Sequence, residues 1–497
     1  MIDRKQTRKN AVLTVVQVAV SAICMFAVYK FLLKELGAVK MGVWSIVMAI
    51  STVARISDLG FAGGMTKFVA KYRALKDEDA IVSVIDTGSL SIAGLVVFIV
   101  AVLYPIALLA LPSVFVDARI GDARALLPWS LASFALLAVG GVYLSVLDGV
   151  QRADLRNMVL IGGTVLYAVS IPLFVSWFGF VGLGYAQLLQ TAAMMVAGWW
   201  VVRRTVGISE LVPTQWRYAR FREMLGYNLN LQFATFASFL GDPLTKVLLG
   251  RFGSLAMVGY YEMASKMVSQ FRGMVVNVNQ VLVPVIAHMN EVDRGEVGNL
   301  YRKTYALLMV VSITFYSLVA ISLPLVSEVW IGEYNGFFMT VGYLMLFAMQ
   351  INTLTGPAYF SNMGTGNVFA NSMAQFIIGG TNLGLGLLLG WWAGGVGVVV
   401  AYALAVTIGS LYLLVAFLLS EHMPMAALLP AGQRGHAVVC ALLVVLSAAA
   451  FATAHIAAGG AKYVIAIVPF VVLIAASLRV EPLRGIGTKM LRRRMAE

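Results

Sequence analysis

Apolar residues run through this chain in stretches of about twenty, separated by short polar loops. A helix rising 1.5 Å per residue needs about that length to cross the hydrocarbon core of a bilayer. A membrane β-barrel would instead alternate apolar and polar positions over segments of roughly ten residues. The pattern predicts an all-α integral membrane protein with spans near residues 11–33, 41–66, 81–111, 128–148, 157–177, 182–202, 226–249, 257–287, 304–326, 339–361, 371–391, 396–419, 436–458 and 463–480, about fourteen in all. The first run, Ala11 to Leu33, is too long for a signal-peptide core and lacks a clear cleavage site, so it reads as a retained span.

The loops are short, and the longest inner link runs from Arg203 to Leu225. It divides the chain into an N-terminal lobe at 1–205 and a C-terminal lobe at 206–420, six spans each. Residues 421–497 add two spans and a basic tail. A weak internal repeat agrees: Leu36-Gly37 precedes Gly42-Val43-Trp44, and Leu249-Gly250 precedes Gly259-Tyr260-Tyr261. Pro243 directly follows Asp242, which makes the seventh span a candidate for a functional kink; ordinary membrane-helix proline usage is the alternative.

Composition fixes the class. The 497 residues are 60% hydrophobic and only 12% charged, against about 25% charged in soluble domains. A net charge of +13 would suggest nucleic acid in a soluble protein, but here it follows from Lys and Arg in alternate loops. Those segments are the N-terminus, 67–80, the links after the fourth, sixth, eighth and twelfth spans, and the tail, which places both termini in the cytoplasm. Trp44, Trp129, Trp177, Trp330, Trp391 and Trp392 fall at the opposite ends of their spans, where amphipathic rings prefer the interface. The tail from Arg484 to Arg494 reads as an anchor on anionic lipid heads.

Charges inside the spans are the candidate chemistry, because a charge at membrane depth costs about 2.5 to 3.5 kcal/mol and normally faces a bundle interior. The stretch from Gly42 to Gly64 carries Arg55 and Asp58, and the stretch from Gly259 carries Arg272; each arginine lies 13 residues after its glycine. Both arginines are expected to face a shared central cavity. Three acid–base pairs sit at helical spacing: Arg55 with Asp58, Asp242 with Lys246, and Glu262 with Lys266. Self-neutralisation within a helix is the plain reading of each pair. Arg272 has no such partner, which leaves a surplus of one cation in the deep set. Arg55, Arg272, Lys246 and Lys266 are therefore candidates to bind an anionic group such as pyrophosphate, which guanidinium meets through two parallel hydrogen bonds. Asp58, Asp242 and Glu262 are candidate cavity acids, and the last two could carry a proton if desolvation raised their affinity for it. Asp86 and Asp148, near inner ends, are expected to be solvated. Sugar hydroxyls would be read by neutral polar residues such as Asn228, Asn230, Gln232, Asn277 and Gln280.

Other chemistries find little support. No phosphate-binding loop of the G-x-x-x-x-G-K-[ST] kind is present, which argues against direct ATP hydrolysis. Gly182-x-Gly184 and the Gly384, Gly386, Gly390 cluster lie in spans, where close helix packing explains them. Cys24 and Cys440 fall in apolar runs, and His288, His422, His436 and His455 are scattered through loops or span ends. The sequence supports no catalytic set, metal site, cofactor or nucleic-acid partner.

Several short motifs occur in order: Leu36-Gly37 with Gly42-Val43-Trp44, Ile56-Ser57-Asp58-Leu59-Gly60-Phe61, Gly149-Val150-Gln151-Arg152, and Asp242 through Gly250. Gly259-Tyr260-Tyr261 with Ala264-Ser265-Lys266, and Trp330-Ile331-Gly332-Glu333, complete the series. With the span plan, they make the chain resemble the polysaccharide transporters of the multidrug/oligosaccharidyl-lipid/polysaccharide flippase superfamily, which includes the O-antigen and lipid II flippases. The resemblance implies two six-helix lobes around a central cavity that opens alternately to either side. It implies a polyprenyl-pyrophosphate-linked oligosaccharide as cargo, a bacterial inner-membrane location and a polymerase or export system as a working partner. The last two spans resemble those that form a lipid-tail groove in the lipid II flippase. That flippase uses several arginines in its first helices where this chain has Arg55, so an O-antigen, capsular or exopolysaccharide unit is the expected cargo rather than lipid II. A drug or cation exporter and a membrane polymerase or ligase are the alternatives. The first would want acidic cavity sites, and the second a long external loop that the sequence lacks.

Overall fold

The computed structural model describes residues 4–52, 61–115, 117–207, 213, 215–224, 241–279, 294–366, 368–454, 469, 471–474 and 477. Among these residues there are helices and turns and no strand. That is what lipid demands: with no water to bond stray backbone groups, a spanning segment must satisfy its N–H and C=O groups internally. The principal α-helices among the described residues are, in order, α1 Arg4–Thr52, α2 Phe61–Ala74, α3 Glu78–Val114, α4 Asp117–Gly149, α5 Ala153–Phe178, α6 Gly182–Val206, α7 Asp242–Phe252, α8 Leu255–Asn279, α9 Arg294–Val326, α10 Gly336–Leu354, α11 Gly356–Thr365, α12 Phe369–Ser420 and α13 Ala431–Ala454.

Eight helical stretches among the described residues are long and apolar enough to cross a membrane, so the chain is a multi-pass membrane protein. Three of them hold two expected spans each. At 52 residues α12 would reach roughly 78 Å if straight, far beyond a hydrocarbon core of about 30 Å. It breaks at Gly394, with φ 60° and ψ −145°, and the chain between α5 and α6 breaks at Gly179 with φ 59° and ψ −138°. Only glycine enters that region freely. Each break turns the chain back on itself: a Cβ on Gly182 would overlap the Phe174 carbonyl, and one on Gly397 the Leu389 carbonyl. The two turns share the pattern Trp-x-Gly-x-Val-Gly, at Trp177 to Gly182 and Trp392 to Gly397. This repeat is clearer than the one read from the sequence, and close packing accounts for Gly182 and also for Gly184, which abuts Trp129. The third break, inside α1, is at Gly37 with φ 75°.

The described chain divides into two compact units, Met1–Glu262 and Met263–Glu497. In the first, α4 packs against α6, α3 and α2, while α1 lies against α5 and α7. Met65, Val69, Ile85, Val146 and Leu147 are buried together there. In the second unit α10 packs on α12 and α9, α11 on α12 and α9, and α13 on α9. Tyr301, Tyr305, Leu414, Phe417 and Leu418 form a buried cluster in it. The expected fourteen spans are not all within view, because 225–240, 280–293 and most of 455–497 lie outside the described residues.

Pro243 sits in the first turn of α7, where a missing N–H forfeits no helical bond. Gly250, which the sequence repeat aligns with Gly37, lies inside α7, and that helix ends at Gly253 before α8 begins. Asp86, expected to be solvated, is buried: the chain at 215–217 folds over α3, Gln215 N–H donates to Asp86 Oδ2, and Arg217 N–H donates to Thr87. Asp148 is half-buried and pairs with Arg156 at 3.1 Å.

Candidate functional site

Glycine sets the first site. A Cβ on Gly42 would overlap the carbonyl oxygen of Leu255, and a Cβ on Gly259 would overlap that of Ala38. Leu255 is four residues before Gly259, and Ala38 is four residues before Gly42, so the two repeat motifs clasp each other reciprocally. Backbones can approach this closely only where side chains are absent.

The crossing brings polar groups to one buried spot. Lys246 Nζ lies 2.7 Å from Asp242 Oδ2 and 2.7 Å from Glu262 Oε2, and its side chain is only 7% exposed. Ser45 Oγ donates to Glu262 Oε2 at 2.7 Å, and Tyr29 hydroxyl donates to Oε1 at 2.9 Å. Tyr261 hydroxyl donates to Asp242 Oδ1 at 2.9 Å. A lone buried charge is untenable in such a place, and here Lys246 is met by two carboxylates, each of which also accepts from hydroxyl groups. The Asp242–Lys246 pair expected along α7 is present. Glu262, expected to pair with Lys266 on its own helix, is held by Lys246 from α7, while Lys266 is exposed. Arg55 and Asp58 lie outside the described residues.

Arg272 occupies a different setting in the second unit. It is on α8 at the wall of a cavity of about 380 Å³ lined also by α10, α11 and both arms of α12. Its Nε donates to Asn352 Oδ1 at 3.0 Å, and Asn352 Nδ2 donates to Ser410 Oγ at 2.9 Å. Among the described residues no carboxylate lies within ion-pair distance of Arg272, and no Asp or Glu lines the cavity. The chain Arg272–Asn352–Ser410 thus fixes the guanidinium through Nε and leaves its two terminal nitrogens for something else. Arg272, the cation that has no acid at helical spacing in the sequence, is the one at this wall.

Asn352, Ser410, Tyr359 and Gln375 escaped the sequence reading. Neutral polar residues inside apolar spans were the available signal, but such residues also serve helix packing. The candidates Asn228, Asn230, Gln232 and Gln280 fall outside the described residues, as does the side chain of Asn277. His436, expected among loops and span ends, is buried in α13, where its Nε2 meets Thr314 Oγ1 at 2.9 Å and Cys440 Sγ lies 3.5 Å away.

Two further ionic clusters lie at helix ends. Asp154, wholly buried, receives Lys9 at 2.8 Å, Arg152 at 3.0 Å and Gln6 at 2.9 Å, which ties the start of α1 to the Gly149–Arg152 turn. Glu223 joins Lys71, Tyr72 and Arg220, with Lys71 Nζ at 2.8 Å. Burial pushes the Glu223 carboxyl up, but hydrogen bonds from Lys71, Tyr72 and Arg220 outweigh it and hold the group below the ordinary carboxylate value.

The family model described as polysaccharide biosynthesis protein matches residues 36–335. No curated protein matches the sequence. Among solved structures, the lipid II flippase MurJ in an inward closed conformation is similar at TM-score 0.71 and 12% identity, over 95% of this chain and 98% of that one. A multidrug-resistance MATE transporter of the MOP superfamily in its inward-facing conformation is similar at TM-score 0.62 and 13% identity, over 83% of this chain and 96% of that one. An outward-facing MATE conformation gives TM-score 0.56 and 15% identity, over 84% and 96%. At these identities the likeness shows the fold alone, shared with the MurJ and MATE structures.

Proposed function

The chain belongs to the polysaccharide biosynthesis protein family, and we propose that it is a flippase for a polyprenyl-pyrophosphate-linked oligosaccharide. It carries the repeat unit from the inner to the outer leaflet of a bacterial cytoplasmic membrane, for O-antigen, capsule or exopolysaccharide assembly. Residues 1–205 and 206–420 act as the two rocking lobes, and residues 421–497 supply the last two spans and a cytoplasmic basic tail. A polymerase or export complex takes the product. The chemistry performed on the cargo is movement, with no bond made or broken.

One observation carries this reading: Arg272, a fixed guanidinium, faces a cavity, and among the described residues the arginine has no carboxylate partner and the cavity no acid in its lining. An exporter of cations would want the opposite sign there. A pyrophosphate can take both terminal nitrogens of the arginine at once, and the surplus cation offsets part of the cost of bringing the anion to membrane depth. Arg55 and Lys266 serve as further phosphate contacts. Lys246 joins them only when its two acids are occupied otherwise, so the Lys246–Asp242–Glu262 group is the coupling element, with Asp58 as a further cavity acid. Protonation of either carboxylate would loosen the clasp that Ser45 and Tyr29 hold closed, which links proton entry to lobe motion.

The test is a proteoliposome assay with labelled polyprenyl-pyrophosphate oligosaccharide and an impermeant reagent. Protein-dependent exposure of the label is expected, falling at least tenfold in Arg272→Ala with unchanged membrane insertion. Full transport by an Arg55→Ala/Arg272→Ala double variant would overturn the assignment of the anion site.

A further inference from the structure

The cavity beside Arg272 holds more hydrogen-bonding capacity than a phosphate requires. The Gln375 amide and the Tyr359 hydroxyl both line it, and neither makes a hydrogen bond among the described residues. A half-buried amide in that state is waiting for a polar ligand or for water. The fold sets these groups in place. Gly409 presses its backbone against Ala374 and Ile378, which closes the two arms of α12 and puts Gln375 beside Ser410. On α11, Tyr359 lies one turn after Thr355, whose hydroxyl is already spent on the Asn352 carbonyl at 2.7 Å. Ile378 and Leu413 add apolar wall to the same cavity. A fixed guanidinium, a carboxamide and a phenol on one cavity, with an aromatic face and no acid among its described lining residues, describe a receptor for a glycosyl phosphate. At about 380 Å³ the cavity is at the small end of ligand sites, which suits one sugar better than a whole repeat unit.

Resting on the flippase reading, we propose that this cavity is the subsite for the sugar joined directly to the pyrophosphate, with Arg272 on the phosphate and Gln375 and Tyr359 reading that sugar's hydroxyl or acetamido groups. Specificity for the first sugar then resides in α11 and α12, and later sugars of the repeat unit lie outside it. A site built to bond a hydroxyl discriminates strongly against a ligand that lacks it, because its own polar groups would be left unpaired.

The experiment uses the full chain in lipid nanodiscs and measures binding of two probes by native mass spectrometry. One is polyprenyl pyrophosphate; the other is the same lipid carrying a single N-acetylhexosamine. The sugar is expected to tighten binding to the unaltered protein, and Gln375→Leu and Tyr359→Phe are each expected to remove about tenfold of that gain. Both variants should bind the sugar-free lipid within twofold of the unaltered protein, which also reports that they are folded. If the variants keep the whole gain, or the unaltered protein binds the two probes equally, the sugar subsite is overturned while the flippase reading stands. If neither lipid binds to the unaltered protein, both fall together.

Discussion

Ser45 and Glu262 share a hydrogen bond of 2.7 Å, and each lies three residues after a glycine of the same repeated motif, Gly42 and Gly259. The repeat therefore meets itself at this bond, with the reciprocal contacts of Gly42 on Leu255 and Gly259 on Ala38 on either side. Backbone oxygens cannot swing away as side-chain tips can. Gly42→Ala and Gly259→Ala are each expected to destabilise the protein by about 1 to 3 kcal/mol, seen as a lower apparent Tm in detergent. The double variant should cost less than the sum, since one added methyl already parts the crossing. Gly94→Ala and Gly162→Ala, whose added methyls meet open space, should leave the Tm unchanged.

Lys246 neutralises two acids at once, so removing it alone strands both. Lys246→Met is expected to cost about 3 to 5 kcal/mol and to lower the amount of folded protein in the membrane. Adding Asp242→Asn and Glu262→Gln should restore most of the Tm, because no charge then remains to be paired. A triple variant as unstable as Lys246→Met would show that packing, not charge, is what the lysine supplies.

Asn352 accepts from Arg272, and a carboxylate of the same size would do so more strongly. Asn352→Asp should keep the fold yet cancel the cationic surplus of the cavity. Transport of a pyrophosphate-linked substrate is expected to fall at least tenfold, with the Tm unchanged or raised. Asn352→Ser, which leaves the arginine unpaired, should be much milder in transport.

Glu223 gives a pH signature outside the membrane-spanning segments. Its affinity for a proton is lower in the folded state than in an unfolded chain, where a Glu titrates near about 4.3. The stabilisation is therefore complete above that pH and is lost as pH falls through the lower folded value. Glu223→Gln should lower the Tm at pH 7, and the difference from the unaltered protein should vanish in strong acid. A Tm difference that is the same at all pH values would mean that the charge is irrelevant to the contact.

Hydropathy alone determined that the chain crosses a membrane many times as helices, because the cost of an unbonded backbone in lipid leaves no other option for apolar stretches of this length. Spacing alone paired Asp242 with Lys246 and matched Gly42 with Gly259, since neighbours on one helix and repeated motifs are properties of sequence order. It also isolated Arg272 as the cation without a partner on its own helix. Partners across helices were another matter. Glu262 meets Lys246 from another helix, and Asp86 is covered by a loop segment 129 residues away. Asn352, Tyr359, Gln375 and Ser410 converge on Arg272 from three other helices. Which faces meet depends on how each helix is rotated and crossed by its neighbours. Close glycine contacts and side-chain interdigitation decide that, and in lipid the apolar pattern carries little information about it because every face is apolar.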